Sequence, residues 1–361
     1  MQDIARIVGV SRPAVSAAFN PNSTTKISAK MRMKILQVAK ELNYTPNVAA
    51  RHLKGAATNL IGVYGVPYVS DIEQAFFIDF SCALNDYGYS LITSYGMTSE
   101  STQSAARELL AKGIDGMLIT TVNHPLPPQE YGNVPTVFCP PCTLEDADIS
   151  IDYAASTAAV TEIMIKRGCR RFGFVNPLHF GQEFFHTPNN QKFSGVQQTV
   201  AQHPECSLSF FAIHDYEGKG ADIAQAIIDA RVDVLFCCND YFGGRMMAAL
   251  TAKGVKFPDD MLLIGYDGTS HCDNYTVPMA TIIQPMRQRA EMAAQLMLQR
   301  IEHKLYNAPP ARITLTPYFY PSVSSGDKNY KLESMPVSNS YISLEACWQD
   351  IDRKFLRLDD K

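Results

Sequence analysis

The feature that most constrains the fold is an alternation of short apolar segments with amphipathic segments, which begins at residue 59. Segments such as 60–66 and 234–237 have the length and composition of buried strands, whereas 102–112 and 242–253 repeat apolar residues at helical spacing. Strand and helix alternating over this length predict parallel sheets with helices on both faces. The sequence therefore predicts a large α/β body.

Charge is distributed unevenly along the chain, which has 361 residues with 32 Lys or Arg and 36 Asp or Glu. The first 55 residues hold nine of the basic residues and two of the acidic ones, so their net charge is +7, and the remainder has a net charge of −11. A basic segment joined to an acidic body is typical of a protein in which a small head binds a polyanion such as DNA.

Three short helices are predicted at the N-terminus. Apolar residues recur at helical spacing in 2–8, and Gly9 permits a tight turn before a second helix over 13–20. Ser28 is the expected N-cap of a third, longer helix in which apolar residues recur every three or four positions. Two helices joined by a glycine-containing turn and supported by a third predict an all-α helix-turn-helix head over residues 1–45.

Four short motifs occur in order within and just after this head. They are Asp3-Ile4-Ala5, Gly9-Val10-Ser11, Val15-Ser16 and Leu42-Asn43-Tyr44-Thr45-Pro46-Asn47. Their residue types and spacing resemble those of the lactose/galactose repressor (LacI/GalR) family of bacterial transcription regulators. The resemblance implies a two-lobed effector-binding and dimerisation body, similar to periplasmic sugar-binding proteins, over residues 59–327. It also implies a homodimer that binds a roughly palindromic operator and is controlled allosterically by a small molecule.

The resemblance assigns residues of the second helix to DNA contacts. Base edges would be contacted by Arg12, Pro13 and Ala17, and phosphates by Ser11, Ser16 and Asn20. Arg12 is the best candidate for direct base readout, and an arginine that contacts only phosphate is the alternative. Ala17 stands where the family often has arginine, so at most its methyl group contacts a thymine. Because Pro13 disfavours helical geometry in the preceding residue, we expect the helix to begin at Pro13.

The start of the first helix also departs from the family pattern. A capping threonine usually precedes this helix, at a position that would lie before Met1. We expect either that the natural start lies upstream or that the first helix is frayed at its N-terminus.

Residues 46–58 are predicted to form a hinge helix and linker. The stretch 47–55 has a helical composition but spans only about two turns, which is marginal for an isolated helix in water. By resemblance, it folds when two copies meet in the DNA minor groove, where Ala50 permits close approach, Leu53 inserts between base steps and Lys54 lies beside it. The alternative is that Leu53 is an ordinary linker residue that packs on the body.

Polar residues follow several predicted strands of the body, at the edge where parallel sheets bind ligands. By resemblance, the effector contacts are Asp152, Asn239, Asp267 and Gln284, with Tyr216 as an aromatic platform for a sugar ring. Lys192 stands where the family commonly has arginine, and its point charge would favour an acidic or phosphorylated ligand. We therefore expect a sugar, a sugar acid or a sugar phosphate as effector. The alternative for each residue taken alone is a solvent-facing loop side chain.

Catalysis is the minority interpretation, because the sequence has no glycine-rich phosphate loop, Gly-x-Ser-x-Gly elbow or His-Glu-x-x-His motif. The segment Cys139-Pro140-Pro141-Cys142 has the spacing of a redox or half-zinc site, but no second pair accompanies it, so chance occurrence in a loop is favoured. We expect neither a cofactor nor a metal. A small-molecule binding protein without DNA function is the main alternative, against which the basic head argues; a sugar-modifying enzyme is a further one.

The expected compartment is the cytoplasm. The odd number of cysteines, nine, fits reduced thiols better than a disulfide framework. No apolar run approaches the length of a membrane span, and the N-terminus lacks the pattern of a signal segment.

Residues 328–361 extend past the usual end of the body. Apolar residues recur there at steps of four and three, namely Leu344, Trp348, Ile351, Phe355 and Leu358. This pattern is a heptad seam of about two repeats, which is short for a stable two-stranded pair. We expect either that the tail helix joins dimers into a tetramer or that it docks on its own body.

Overall fold

The computed structural model describes residues 1–19, 25–42, 44, 57–65, 71–96, 99–121, 124–177, 188–213 and 221–327. The chain divides into two units, Met1–Thr58 and Asn59–Lys361. We call the first unit the head and the second unit the body.

The described part of the head contains the helices α1 (Gln2–Val8), α2 (Arg12–Ala18) and α3 (Ala29–Glu41). Gly9 ends α1 with a φ of 77°, a left-handed conformation that glycine adopts without steric cost. The predicted cap of α3 is confirmed, since Ser28 Oγ accepts a hydrogen bond from the N–H of Met31 at 3.2 Å. Apolar side chains from all three helices form the core of the head.

Helix α2 corrects one prediction, because it begins at Arg12 and not at Pro13. Ser11 caps it by accepting a hydrogen bond from the N–H of Ala14 at 3.4 Å. Pro13 is then the second helical residue, where its missing N–H leaves no hydrogen bond unmade. The steric bias that a proline exerts on the preceding residue is a preference only, and the Ser11 cap outweighs it here.

The first lobe of the body is built on a parallel four-stranded sheet. Its elements are β1 (Leu60–Gly65), α4 (Asp71–Asn85), β2 (Ser90–Tyr95), α5 (Ser99–Ala111), β3 (Gly116–Ile119) and β4 (Thr136–Phe138). The strand order is β2-β1-β3-β4, with Leu60 opposite Ser90 and Met117 opposite Thr136.

The second lobe is built on a six-stranded sheet. Its elements are α6 (Tyr153–Lys166), β6 (Arg171–Pro177), α7 (Pro188–Ala201), β7 (Ser207–Ile213), α8 (Ala221–Asp229), β8 (Val234–Cys237), α9 (Asp240–Ala252), β9 (Leu262–Asp267), β10 (Ala280–Ile283) and β12 (Tyr318–Tyr320). The strand order is β12-β10-β9-β8-β6-β7, and β12 alone runs antiparallel to its neighbour.

Within the described residues, three crossings connect the lobes. The strands β5 (Ile149–Ile151) and β11 (Ile313–Leu315) pair in parallel and carry two of them. The third follows β10 and leads into α10 (Met286–Glu302), which packs on α4, β3 and β4 of the first lobe. Sequence reasoning did not predict α10. Its buried face includes Arg289 and Arg300, which interrupt the apolar stripe by which a buried helix is recognised.

The alternation predicted from residue 59 onward is confirmed, and the body is a two-lobed α/β structure in which helices cover parallel sheets. Within the described ranges, no helix combines the length and the apolar composition that a bilayer crossing requires.

Candidate functional site

The strand order of the second lobe changes direction between β6 and β8. Chain connections run from β6 outward to β7 on one side, and through β8, β9 and β10 on the other. Ligands of open α/β sheets bind outside the carboxyl ends of the strands at such a point. Val175 lies opposite Cys237, and the N–H of Cys238 donates to the Val175 carbonyl at 3.0 Å. Asn176 and Cys238 therefore stand at neighbouring positions on this edge.

Lys192 lies at this edge, on the second turn of α7, and is 3% exposed. Its Nζ donates to the carbonyl of Cys238 at 2.7 Å and lies 3.4 Å from Asp267 Oδ1. The ammonium also stands 4.0 Å from the centroid of the Tyr266 ring and 5.5 Å from that of Tyr153. A carboxylate, a carbonyl and two aromatic faces thus surround this cation, which is how a buried charge is stabilised.

Gln284 extends the hydrogen-bond network from Asp267 to Tyr153. Its Nε2 donates to Asp267 Oδ1 at 2.8 Å, and its Oε1 accepts from Tyr153 Oη at 3.0 Å. The Tyr266 hydroxyl is held separately, 2.8 Å from Ser156 Oγ. Five side chains therefore form one buried group, hereafter the Lys192 cluster, which consists of Tyr153, Lys192, Tyr266, Asp267 and Gln284.

Asp267 has an unusual backbone, with a φ of 119° at the end of β9. A non-glycine residue in this region costs roughly 1–3 kcal/mol, and such residues occur mostly at functional sites. The Asp267 carbonyl accepts from the N–H of Gln284 at 3.2 Å, which helps to hold this conformation. Burial raises the pKa of the Asp267 carboxyl, and the nearby Lys192 ammonium opposes that shift.

Asp240 lies behind the cluster on the first turn of α9 and is 1% exposed. Its two carboxylate oxygens accept from the Thr281 hydroxyl at 2.6 Å and from the N–H of Thr269 at 2.7 Å. Burial, with the negative charge of Asp267 nearby, raises the pKa of Asp240 to about 6. This second carboxylate makes the surroundings of the cluster more negative above that pH.

Two of the other predicted ligand residues, Asp152 and Asn239, lie beside the cluster and act as helix caps. Asp152 Oδ1 accepts from the N–H of Ala155 at 2.9 Å and caps α6. Asn239 Oδ1 accepts from the N–H of Phe242 at 2.9 Å and caps α9. Of the six residues predicted to bind the effector, three belong to the Lys192 cluster, namely Lys192, Asp267 and Gln284. Asp152 directly precedes Tyr153 of the cluster, and Asn239 directly follows Cys238, whose carbonyl binds Lys192. Tyr216 lies outside the described residues.

A groove of about 420 Å³ opens beside the cluster and is lined by both lobes. Its lining consists of Asp71, Ile72, Gln74, Ala75 and Ile78 from α4, and of Gly268, Thr269, Ser270 and His271. Gly268, which follows Asp267 in the sequence, belongs to this lining, but no member of the Lys192 cluster does. His271 Nε2 lies 3.0 Å from Asp71 Oδ2, so the two lobes also contact each other at this groove.

Sequence reasoning missed three side chains of this region. Tyr153 and Tyr266 read as ordinary core residues, and nothing in their spacing signals that Lys192 lies against their rings. Asn176 could have been found, because it is the last residue but one of β6 and lies at the carboxyl end of a parallel strand, where ligands bind. It is 7% exposed, and its Oδ1 has no hydrogen-bond partner within the described chain.

The Cys139–Cys142 segment is part of the contact between α10 and the end of β4. Arg289 Nε donates to Cys139 Sγ at 3.1 Å, and its Nη2 donates to the carbonyls of Cys139 and Pro140 at 2.6 and 2.7 Å. Burial raises the pKa of Cys142 to about 11 and also raises that of Cys139. Neither sulfur is a thiolate at neutral pH, which agrees with the interpretation of chance spacing. The described residues contain no group of side chains able to hold a metal ion.

The predicted DNA-contacting surface is partly described. Ser11, Arg12 and Pro13 are exposed at the start of α2, and Ser16 is half-buried. Ala17 is 1% exposed, and its predicted contact with a thymine stays a prediction. The remaining predicted contacts, Asn20, Ala50, Leu53 and Lys54, lie outside the described residues.

Two protein-family models match the chain. A model described as bacterial regulatory proteins of the lacI family matches residues 1–47, and a periplasmic binding protein-like domain matches residues 161–320. Among curated proteins, the chain is 26% identical over 335 residues to the HTH-type transcriptional repressor PurR of Haemophilus influenzae, with 88% of this chain and 96% of PurR covered. It is 24% identical over 316 residues to the ribose operon repressor of the same species, with 84% and 92% covered.

Solved structures share the fold. A crystal structure of the lac repressor dimer bound to operator and the anti-inducer ONPF has a TM-score of 0.75 at 20% identity, with 90% of this chain and 98% of that chain covered. A complex of the transcriptional regulator CelR with cellobiose has a TM-score of 0.62 at 20% identity, with 89% and 98% covered. The head, the two-lobed body and these matches together show that the chain belongs to the lacI family of bacterial regulatory proteins, and that it is a DNA-binding transcription regulator and not an enzyme.

Proposed function

We propose that this regulator is a cytoplasmic repressor that binds a roughly palindromic operator as a homodimer, and that a carbohydrate or carbohydrate-derived effector controls it from the second lobe. The relatives with the longest matches described above are repressors, and one compared structure is a repressor dimer on its operator. The observation that carries the effector assignment is the Lys192 cluster, a buried polar network at the switch point of a parallel sheet.

The cluster has the chemistry that a carbohydrate site needs. Its carboxylate, amide and hydroxyl groups can exchange hydrogen bonds with sugar hydroxyls. The adjoining groove of about 420 Å³ has the volume of a small-molecule site. We propose that the effector spans the groove and the edge of the cluster, with Asp152, Lys192, Tyr216, Asn239, Asp267 and Gln284 around it.

We propose that the segments that cross between the lobes couple effector binding to DNA binding. Gln284 belongs to the cluster, and the chain leaves the second lobe two residues later at the start of α10. An effector that binds differently to two lobe angles shifts the population between them, and by linkage DNA binding shifts effector affinity by the same factor. We propose that residues 46–58 act as a hinge whose folding on DNA depends on the lobe angle, with Leu53 in the minor groove. This segment lies mostly outside the described residues.

A gel-shift experiment with the genomic region upstream of its own gene tests the proposed function. The full chain should retard this region in preference to a scrambled duplex, and the preference should weaken as salt is raised. Leu53→Ala should weaken specific binding strongly, because the apolar wedge is lost. Unchanged operator affinity in Leu53→Ala would show the minor-groove assignment to be wrong, whereas the absence of any duplex preference would remove the proposed function itself.

A further inference from the structure

We infer that the effector is an uncharged polyol that donates hydrogen bonds, and that the site discriminates against sugar acids and sugar phosphates. This inference rests on the proposed function, because it concerns the ligand of the same site. It reverses the expectation that the Lys192 point charge selects an anionic ligand.

The charge of Lys192 is already compensated within the protein. Its side chain is 4% exposed and that of Asp267 is 12% exposed, with 3.4 Å between Nζ and Oδ1. Two of the three ammonium donors are directed to Asp267 and to the Cys238 carbonyl, and the ammonium lies against the Tyr266 ring. An anionic ligand would have to displace Asp267 and would leave that carboxylate buried without its cation, which is costly.

The hydrogen-bonding capacity that remains at this edge is rich in acceptors. Within the described chain, Asp267 Oδ2, Asp152 Oδ2 and Asn176 Oδ1 have no hydrogen-bond partner. Apart from the third N–H of the Lys192 ammonium, which lies against the Tyr266 ring, the unused donors are the neutral amide groups of Asn176 and Asn239. Sugar hydroxyls both donate and accept, so they can satisfy all of these groups, whereas ionised phosphate and carboxylate oxygens only accept. The arrangement therefore fits a ligand with several hydroxyl groups.

The charged groups around the cluster also disfavour an anion. Asp71, Asp152 and Asp240 surround it on the α4, α6 and α9 sides, and Asp240 is buried. The other buried cation of the region, Arg289, directs its guanidinium to the Cys139 thiol and to carbonyls of the first lobe. His271, the remaining basic side chain at the groove, pairs with Asp71 at 3.0 Å. None of the described cations at the site is therefore free for a phosphate.

Matched pairs of ligands test the inference on the full chain. Thermal unfolding is followed with ribose against ribose 5-phosphate, glucose against glucose 6-phosphate and gluconate, and galactose against galacturonate, at equal concentrations and ionic strength. We expect at least one neutral member to raise the unfolding temperature and to bind at least about tenfold more tightly than its charged counterpart. Tighter binding of any charged member, or no binding by all three neutral sugars, would overturn the inference.

A gain of function gives a second readout. Asp267→Asn keeps the shape of the side chain but releases the charge of Lys192, so the sugar phosphate should now bind at least about tenfold more tightly than it binds the natural protein. Asp86→Asn, in an exposed turn, removes the same charge as a control and should change nothing. An unchanged preference in Asp267→Asn would contradict the inference. Operator binding measured on the same preparations distinguishes this failure from failure of the proposed function.

Discussion

Gln284 Nε2 donates to Asp267 Oδ1 at 2.8 Å, and this hydrogen bond joins the end of β9 to the point where the chain leaves the second lobe. The same amide accepts from Tyr153 Oη at 3.0 Å, on the helix by which the chain enters that lobe. One side chain therefore contacts both the entry and the exit of the second lobe, as well as the carboxylate of the candidate effector site.

Gln284→Ala should separate effector response from DNA binding. The substitution leaves Tyr153 Oη without its acceptor and Asp267 with one donor fewer, at a cost of about 1–3 kcal/mol in the free energy of unfolding. Operator affinity without effector should be retained, and the change in affinity on adding effector should be lost. The matched control is Gln225→Ala, since Gln225 is exposed and bonds only to groups at the surface. A full effector response in Gln284→Ala would exclude this role.

The buried carboxylate of Asp240 predicts a pH dependence of stability. Burial and Asp267 raise the pKa of Asp240 to about 6 in the folded protein, above the value of about 4 for an unfolded chain. The folded protein therefore binds more protons than the unfolded chain between these pH values. This contribution is fully present below about pH 4 and is lost as the pH rises through 6.

Urea unfolding across this pH range measures the effect. The free energy of unfolding of the natural protein, relative to Asp240→Asn, should fall by an amount on the order of 3 kcal/mol between pH 4 and pH 7. The Asn variant supplies the baseline because its side chain does not titrate. A difference that stays constant with pH would show that Asp240 titrates normally.

Arg300 and Asp148 form a buried ion pair at the crossings. The Arg300 Nη1 and Nη2 atoms donate to the two Asp148 oxygens at 2.7 and 2.6 Å, and both side chains are at most 4% exposed. The same carboxylate accepts from the N–H of Phe138 and of Ala311, each at 2.8 Å. The pair thus ties α10 to the end of β4 and to the segment before β11.

Arg300→Met should destabilise the protein by about 3–5 kcal/mol, because it leaves the Asp148 carboxylate buried without its cation. The same substitution at Arg287, on the same helix, removes an exposed pair with Glu291 and should destabilise the protein far less. Chemical denaturation of the two variants provides the comparison. Equal costs would mean that the buried pair contributes no more than a surface pair.

Arg12 is predicted to read a base. Arg12→Ala should reduce affinity for the operator by about 1–3 kcal/mol and should affect a scrambled duplex much less. Lys40→Ala removes the same charge from an exposed position on α3 and serves as the control. Fluorescence anisotropy on both duplexes at fixed salt gives the values. Equal losses on the two duplexes would instead support the alternative that Arg12 contacts only phosphate.

The tail is expected either to join dimers into a tetramer or to dock on its own body, and residues 328–361 lie outside the described chain. Deleting residues 334–361 removes the heptad seam that would form this contact. Light scattering should then report a dimer where the full chain is a tetramer. If the full chain and the truncated chain have the same assembly state, the seam does not join dimers.

Much of the fold could be predicted from local patterns in the sequence. Ser28 caps α3 because its short side chain can accept from the next turn, and the strands of the body follow from runs of apolar residues. Helix α10 was not predicted, because Arg289 and Arg300 occupy its buried face and satisfy their charges only through partners distant in sequence. Burial of that kind depends on the tertiary structure and leaves no local pattern.

The candidate site was predicted to a similar extent. Polar residues after strands led to Asp267 and Gln284, because parallel strands bring their carboxyl ends to one edge. The burial and the ion pairing of Lys192 could not be predicted, because its partners Asp267 and Cys238 are distant in sequence. The burial of Ala17 was likewise not predicted, because the family resemblance placed this residue toward the base edges.

We propose above all that a ligand at the Lys192 cluster controls the affinity of the head for DNA. The most direct test is fluorescence anisotropy of the upstream duplex with the natural protein and with Asp267→Asn, each titrated with the neutral sugar that stabilises the natural protein. We predict that the sugar changes the DNA affinity of the natural protein about tenfold or more and leaves that of Asp267→Asn unchanged. Equal responses of the two proteins, or no response of the natural protein to a sugar that it binds, would contradict it.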